Sequence, residues 1–173
     1  MKKLFSLFVV AVILVACSKS SSTNNNNNNN GSQGSFTATI DGTPHNFNVY
    51  PTAVHVNTSN SYSVSFAGYD GAIGTGNYLQ IGVVDEPAPV VAGTYYDNSA
   101  NAKYNTFIDY SVMPGAVTFT ATGVSPDTSV ITITSITADS AKGTFSGQIT
   151  NISSGSTMQH TVTDGKFNLK FSK

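Results

Sequence analysis

The sequence predicts an all-β domain, a single antiparallel β-sandwich of roughly ten short strands. Three observations carry this. Apolar residues recur at every second position in run after run from Phe36 to Phe171, the period of a half-buried strand. Turn dipeptides stand between many of those runs, at Asp41-Gly42, Asp70-Gly71, Pro114-Gly115 and Asp164-Gly165. Ser, Thr, Asn and Gly supply most of the polarity, since only 10% of residues are charged. That profile suits strands with one apolar face and one hydroxyl-bearing face.

Taken in order, Phe36, Ala38 and Ile40 form the apolar face of the first strand, and Asp41-Gly42 is a tight hairpin signal. The returning segment 47–50 is cut by Pro51, and Ala53 to Val56 follows as a short edge-like piece. Ser61 to Ala67 alternates, with Tyr62, Val64 and Phe66 on one face. A glycine-rich loop covers Gly68 to Gly76. Tyr78 to Val84 is the next strand, stopped by Asp85-Glu86-Pro87-Ala88-Pro89, and Gly93 to Tyr96 is a brief one. Asp97 to Ala102 is a polar loop. Lys103 to Met113 is strand-like through Ile108, Tyr110 and Val112, and Val117, Phe119 and Ala121 alternate after the Pro-Gly turn. Ser129 to Thr137 is dense in Val, Ile and Thr, with a slip near Ser135-Ile136 that suggests a bulge. Lys142 to Thr150, Met158 to Val162 and Lys166 to Lys170 complete the set, the last two read as a hairpin about Asp164-Gly165. Periodicity alone does not separate a sandwich from a lipocalin-like closed barrel, which stays as the alternative.

The chain divides into three parts. Residues 1–16 have the layout of a secretory signal peptide, two lysines followed by an apolar run. The run is short for a transmembrane helix, which needs about 20 apolar residues. Residues 17–34 are Cys17 and a Ser/Asn-rich stretch with seven consecutive asparagines and no apolar side chain after Cys17. Such composition gives a flexible tether, with an r.m.s. span of roughly 20–25 Å. Residues 35–173 are the all-β domain. Cys17 is the only cysteine, so no disulfide forms within the chain.

The residues Leu14-Val15-Ala16-Cys17 resemble the bacterial lipobox. The resemblance implies cleavage between Ala16 and Cys17, diacylglycerol on the Cys17 sulfur and acylation of the new amino terminus. Two or more acyl chains give stable membrane attachment. The partner implied is therefore a membrane, held through lipid on Cys17. In the domain, Phe36-Thr37-Ala38-Thr39-Ile40-Asp41-Gly42, Ala92-Gly93-Thr94-Tyr95, Ile133 to Thr137, Lys142 to Gly147 and Thr163 to Phe167 resemble a family of uncharacterised Bacteroidetes lipoproteins. That resemblance implies a β-rich fold and an envelope location, expected at the outer membrane, and no catalytic residues. The chain departs from the pattern at His45, where such proteins often carry Trp. It also lacks the acidic signal after the cysteine that sends some of these lipoproteins to the cell surface, so both faces of the membrane stay open.

Function is less legible. There is no arginine, and Lys19, Lys103, Lys142, Lys166, Lys170 and Lys173 are spread along the sequence, which is not the clustered footprint of a nucleic-acid binder. His45, His55 and His160 lack metal-ligand spacing and read as ordinary strand or loop residues, His55 facing solvent between Val54 and Val56. No cofactor or metal is expected. The loop from Asp97 to Asn101 offers oxygen atoms but not the acid count of a calcium loop, and a turn explains it. No Gly-x-Ser-x-Gly elbow is present. A hydrolase pair would have to come from Asp85, Glu86 and Asp109, the first two read as a solvated loop and the third as polar-face.

The leading binding residues are Tyr95, Tyr96, Asp97, Tyr104 and Tyr110, aromatic rings about a polar loop that could stack on sugars. Asp139-Ser140-Ala141 resembles a short O-glycosylation motif with Ser140 as acceptor. The expectation is a lipid-anchored, non-catalytic module that binds or scaffolds an envelope protein or a glycan. A barrel carrying a small apolar ligand is the alternative, and a glycan hydrolase is a third reading.

Overall fold

The computed structural model describes residues 34–58, 61–86, 88–97, 105–121, 128–151 and 159–172. Among them are eleven strands: β1 (Gly34–Ile40), β2 (Thr43–Asn46), β3 (Val49–Thr58), β4 (Ser61–Tyr69), β5 (Tyr78–Glu86), β6 (Gly93–Tyr96), β7 (Asn105–Val112), β8 (Val117–Thr120), β9 (Thr128–Ile136), β10 (Ser140–Thr150) and β11 (Gln159–Lys170). Every pairing is antiparallel. The signal region and the tether up to residue 33, with Cys17, lie outside the described residues, and Gly34, assigned to the tether from the sequence, opens β1.

The strands form a β-sandwich. One layer runs β2-β1-β11-β10-β9-β6 and the other β8-β7-β5-β4-β3, and a single residue pair, Thr150–Thr120, joins them between β10 and β8. The path ends at β2 and β3, which do not pair with each other, so the sheet does not close into the barrel kept as the alternative. The layers cross steeply. Successive inward residues of β7 meet successive strands of the other layer: Thr106 bonds Ser129 on β9, Ile108 lies against Gly147 on β10, and Tyr110 meets His160 on β11. Such crossing, with the layers joined at one corner by the Thr150–Thr120 pair, is orthogonal packing.

Alternation places the core as expected. Phe36, Phe47, Phe66, Phe167, Leu79, Ile81, Ile108, Ile131, Ile133 and Ile149 are all fully buried. The Phe66 and Phe167 rings stack across the layers at 4.1 Å between centroids. Each such side chain contributes roughly 1.5–3 kcal/mol of burial, so the interior is a filled core.

Several local expectations are corrected. Asp164-Gly165 is not a hairpin, because β11 runs through it as one strand. Both halves pair with β1 on one side and β10 on the other, and the register shifts between Thr163 and Lys166 against β1 and between Val162 and Gly165 against β10. Asp164 takes φ 52° as the extra residue of a bulge, so the local left-handed signal was real and was used to bend a long strand. Asp41-Gly42 does form the hairpin, with φ of 49° and 80° and Ile40 paired to Thr43. Pro51 does not cut its segment. It lies within β3 at a register shift, on an edge strand where its missing N–H costs nothing.

Gly68 belongs to β4, not to the loop, paired with Leu79, and it is glycine because a Cβ there would sit 2.1 Å from the Phe47 carbonyl oxygen. β5 extends through Asp85 and Glu86. In β9 the bulge falls at Thr134, one residue before the expected slip. His55 does not face solvent. Val54 is the outward residue at 46% exposed, and His55 turns inward onto the Phe171 ring at 5.0 Å. The cause is the β3 register, in which Ala53 is core and therefore His55 shares its face.

Candidate functional site

The tyrosine platform read from the sequence is not assembled. Tyr95 is buried, and its hydroxyl accepts from the Val91 amide at 3.0 Å and donates to the Val91 carbonyl at 2.9 Å. It holds the segment before β6 onto the core. Tyr110 is buried too, four residues along β7 from Thr106, or about 13 Å. Asp97 lies at the other end, its amide bonded to the Ser129 carbonyl, and burial raises its carboxyl above the ordinary value. Tyr104 is outside the described residues. Among the described members of the set, Tyr96 is the exposed ring, at 44%. Ser140 lies in the 137–140 turn, half-buried, its amide donating to Thr137 Oγ1 at 3.1 Å.

Tyr110 instead stands in a cluster that the sequence did not suggest. Two carboxylate–imidazole pairs flank it, contributed by the β1–β2 hairpin, the β4–β5 loop and β11. His45 on β2 donates through Nδ1 to Asp70 Oδ2 at 2.7 Å, and His160 on β11 pairs through Nδ1 with Asp41 Oδ2. The two imidazoles lie 6.2 and 5.9 Å from the Tyr110 ring. Asp70 also accepts from the Asn77 amide at 2.6 Å and its side-chain Nδ2 at 3.0 Å, and Asn77 Oδ1 accepts from the Met113 amide at 3.1 Å. Asp41 accepts from the Thr161 amide at 2.8 Å.

The charges there are set by these contacts. For Asp41, burial acts to raise the carboxyl, and the Thr161 amide and the His160 ring outweigh it, leaving it below its ordinary value. Burial raises the Tyr110 phenol, and the Asp70 and Asp41 carboxylates add to that. Both imidazoles spend Nδ1 on a carboxylate, and His160 Nε2 is buried. The cluster therefore acts as a clamp, tying the β1–β2 hairpin, the β4–β5 loop, the 113–116 turn and the start of β11 together. Among the described residues, no three His, Cys, Asp or Glu side chains converge as a metal would need.

The open surface lies elsewhere, on the outer face of β6, β9, β10 and β11. A shallow groove of about 300 Å³ is lined by Val130, Thr132, Thr144, Ser146, Asp164 and Lys166, with Phe145 and Gly165 beneath. The β11 bulge makes it. Asp164 is pushed out of register, and Gly165 lies directly against Phe145, where a Cβ would meet the Phe145 carbonyl at 2.4 Å and the Phe145 ring at 2.6 Å. Tyr96 pairs with Val130 in register, which sets its exposed ring beside the groove. Thr94 and Thr132 share a hydrogen bond at 3.1 Å in the next row.

The outer face of the other layer differs. There Asp109 accepts from Thr120, Tyr78 bonds Gln80 Oε1 at 3.1 Å, and Phe107 covers Gly82. Burial, with smaller contributions from Tyr69 and Asp109, pushes the Tyr78 phenol up to about 12. Burial likewise raises Asp109, the Thr120 hydroxyl partly opposing it.

The clamp histidines could not have been found from spacing, because His160 lies 119 residues from Asp41 and His45 lies 25 from Asp70. No family model matches the chain, and neither a curated protein nor a solved structure is significantly similar to it.

Proposed function

We propose that this chain is a lipid-anchored protein of the bacterial cell envelope, of the Bacteroidetes lipoprotein type, and that its domain is a non-catalytic binding module. The outer face of β6, β9, β10 and β11 is its contact surface for a glycan or an envelope protein. One observation carries the reading: Tyr96 stands exposed beside an open groove rimmed by the hydroxyls of Thr132, Thr144 and Ser146. An exposed ring next to convergent hydroxyls offers both stacking and hydrogen bonds, the combination a polar polymer needs. The two Asp–His pairs support the non-catalytic part, because their carboxylates and Nδ1 atoms are already engaged in joining loops. Attachment rests on Leu14-Val15-Ala16-Cys17, with lipid on Cys17 holding the chain at the outer membrane.

The test is a glycan array together with crosslinking in envelope preparations, using the full-length protein in a non-ionic detergent. We expect a retained glycan or protein partner, and Tyr96→Ala is expected to weaken it by about tenfold, roughly 1.4 kcal/mol, with thermal unfolding unchanged. Retention that is indifferent to Tyr96 and to the groove would contradict the reading.

A further inference from the structure

The lysines that are spread through the sequence are gathered by the fold. Lys142 on β10 pairs directly with Asn168 on β11, and Lys166 and Lys170 lie two positions to either side of Asn168. Each is therefore a diagonal neighbour of Lys142, about 7–8 Å away, and the two β11 lysines stand about 13 Å apart along the strand. All three are exposed, and among the described residues none forms an ion pair. They share the outer face with the groove: Lys166 is one of its walls and pairs with Thr144, another wall.

This contrasts with the rest of the domain. From Ser35 onward the sequence holds five lysines against nine carboxylates, so the domain is acidic, yet three of its five cations occupy one triangle. Exposed like charges at this spacing repel mildly, and, among the described residues, the one carboxylate on the groove wall, Asp164, forms no ion pair with them.

We infer that the β10–β11 face binds an acidic polysaccharide, its carboxylate or sulfate groups on Lys142, Lys166 and Lys170 and a sugar ring against Tyr96. The inference rests on the binding-module reading above and names the ligand class of that surface. Charge complementarity selects a polyanion. Between the lysines stand Ser140, Thr144 and Asn168, hydroxyl and amide groups that fit sugar hydroxyls better than they fit a lipid headgroup layer.

The test uses the full-length protein in a non-ionic detergent, with polygalacturonate as the acidic probe and its fully methyl-esterified form as the neutral counterpart. Calorimetry should show binding to the acid form only, weakening by about tenfold between low salt and several hundred millimolar as the charges are screened. The triple variant K142Q/K166Q/K170Q should lose binding by at least about tenfold with thermal unfolding unchanged, and K142R/K166R/K170R should retain it. Equal binding of the acid and ester forms, or full binding by the glutamine variant, overturns the inference. So does capture of phosphatidylglycerol vesicles through these lysines without capture of polygalacturonate, which would make the face a membrane contact. A neutral glycan or envelope protein bound through Tyr96 would overturn the acidic ligand alone and leave the binding-module reading in place. Loss of every ligand, neutral ones included, would overturn both.

Discussion

Asp109 is the residue whose environment and position disagree most. It sits on an outward face, yet burial raises its carboxyl, and the Thr120 hydroxyl offsets only part of that. A group whose folded value is raised binds its proton more tightly in the native state. Its contribution is therefore fully present below the unfolded value of about 3.9 and is lost as pH rises through the folded value. An asparagine side chain in its place would not titrate and could still accept from Thr120. D109N is thus expected to gain on the wild type as pH rises from about 3 to 7, by a few tenths to about 1 kcal/mol after solvent screening. Urea unfolding at the two pH values measures this, and a flat or reversed difference would refute it. Asp41 has the opposite sign. Its value is lowered by the Thr161 amide and His160 against the effect of burial, so its contribution is present above the unfolded value and is lost as pH falls through the folded one. Histidines were the residues least legible from the sequence. His45, His55 and His160 stand in strands whose neighbours say nothing of the long-range contacts that define them, an Asp–His pair in two cases and the Phe171 ring in the third.

At the scale of elements, period-two alternation gave the correct inward residues for β1, β4, β5, β7 and β10, since each is buried on one face by the opposite layer. Turn chemistry was less reliable, because one dipeptide serves two purposes. Asp41-Gly42 and Asp164-Gly165 carry the same left-handed preference. The first closes a hairpin and the second bends a strand with partners on both sides, and only the pairing of β11 with β1 and β10 tells them apart. The bulge yields a prediction. Asp164 holds φ 52°, so D164G should leave stability within a few tenths of a kcal/mol, whereas D164V should cost about 1–2 kcal/mol, the left-handed penalty for a branched residue. Chemical denaturation distinguishes the two, and equal effects would mean the bulge is not held as described. The groove was illegible for a related reason: it lies at the bulge where Asp164 sits out of register, beside Thr144 and Ser146 on the neighbouring strand.

At the scale of the molecule, the domain has two outer faces of different character. One carries Tyr69, Tyr78, Phe107 and Asp109, largely satisfied by their own neighbours. The other carries Tyr96, the groove and three free ammonium groups. A sequence reading could see the tyrosine but not the lysines, which lie 24 and 28 residues from Lys142 along the chain and become neighbours through the β10–β11 register. It also placed Tyr95 and Tyr110 with Tyr96, but Tyr95 and Tyr96 are neighbours on one strand and so point to opposite faces, and Tyr110 on β7 is buried in the core. Binding on the β6–β9–β10–β11 face is the proposal on which the other expectations depend. Amide chemical-shift mapping of the protein titrated with polygalacturonate oligomers tests it most directly. Shifts are expected to concentrate at Tyr96, Val130, Thr144 and Lys166 and to extend to Lys142 and Lys170. Shifts confined to the face of Tyr78 and Asp109, or to the Asp–His clamp about Tyr110, would contradict it.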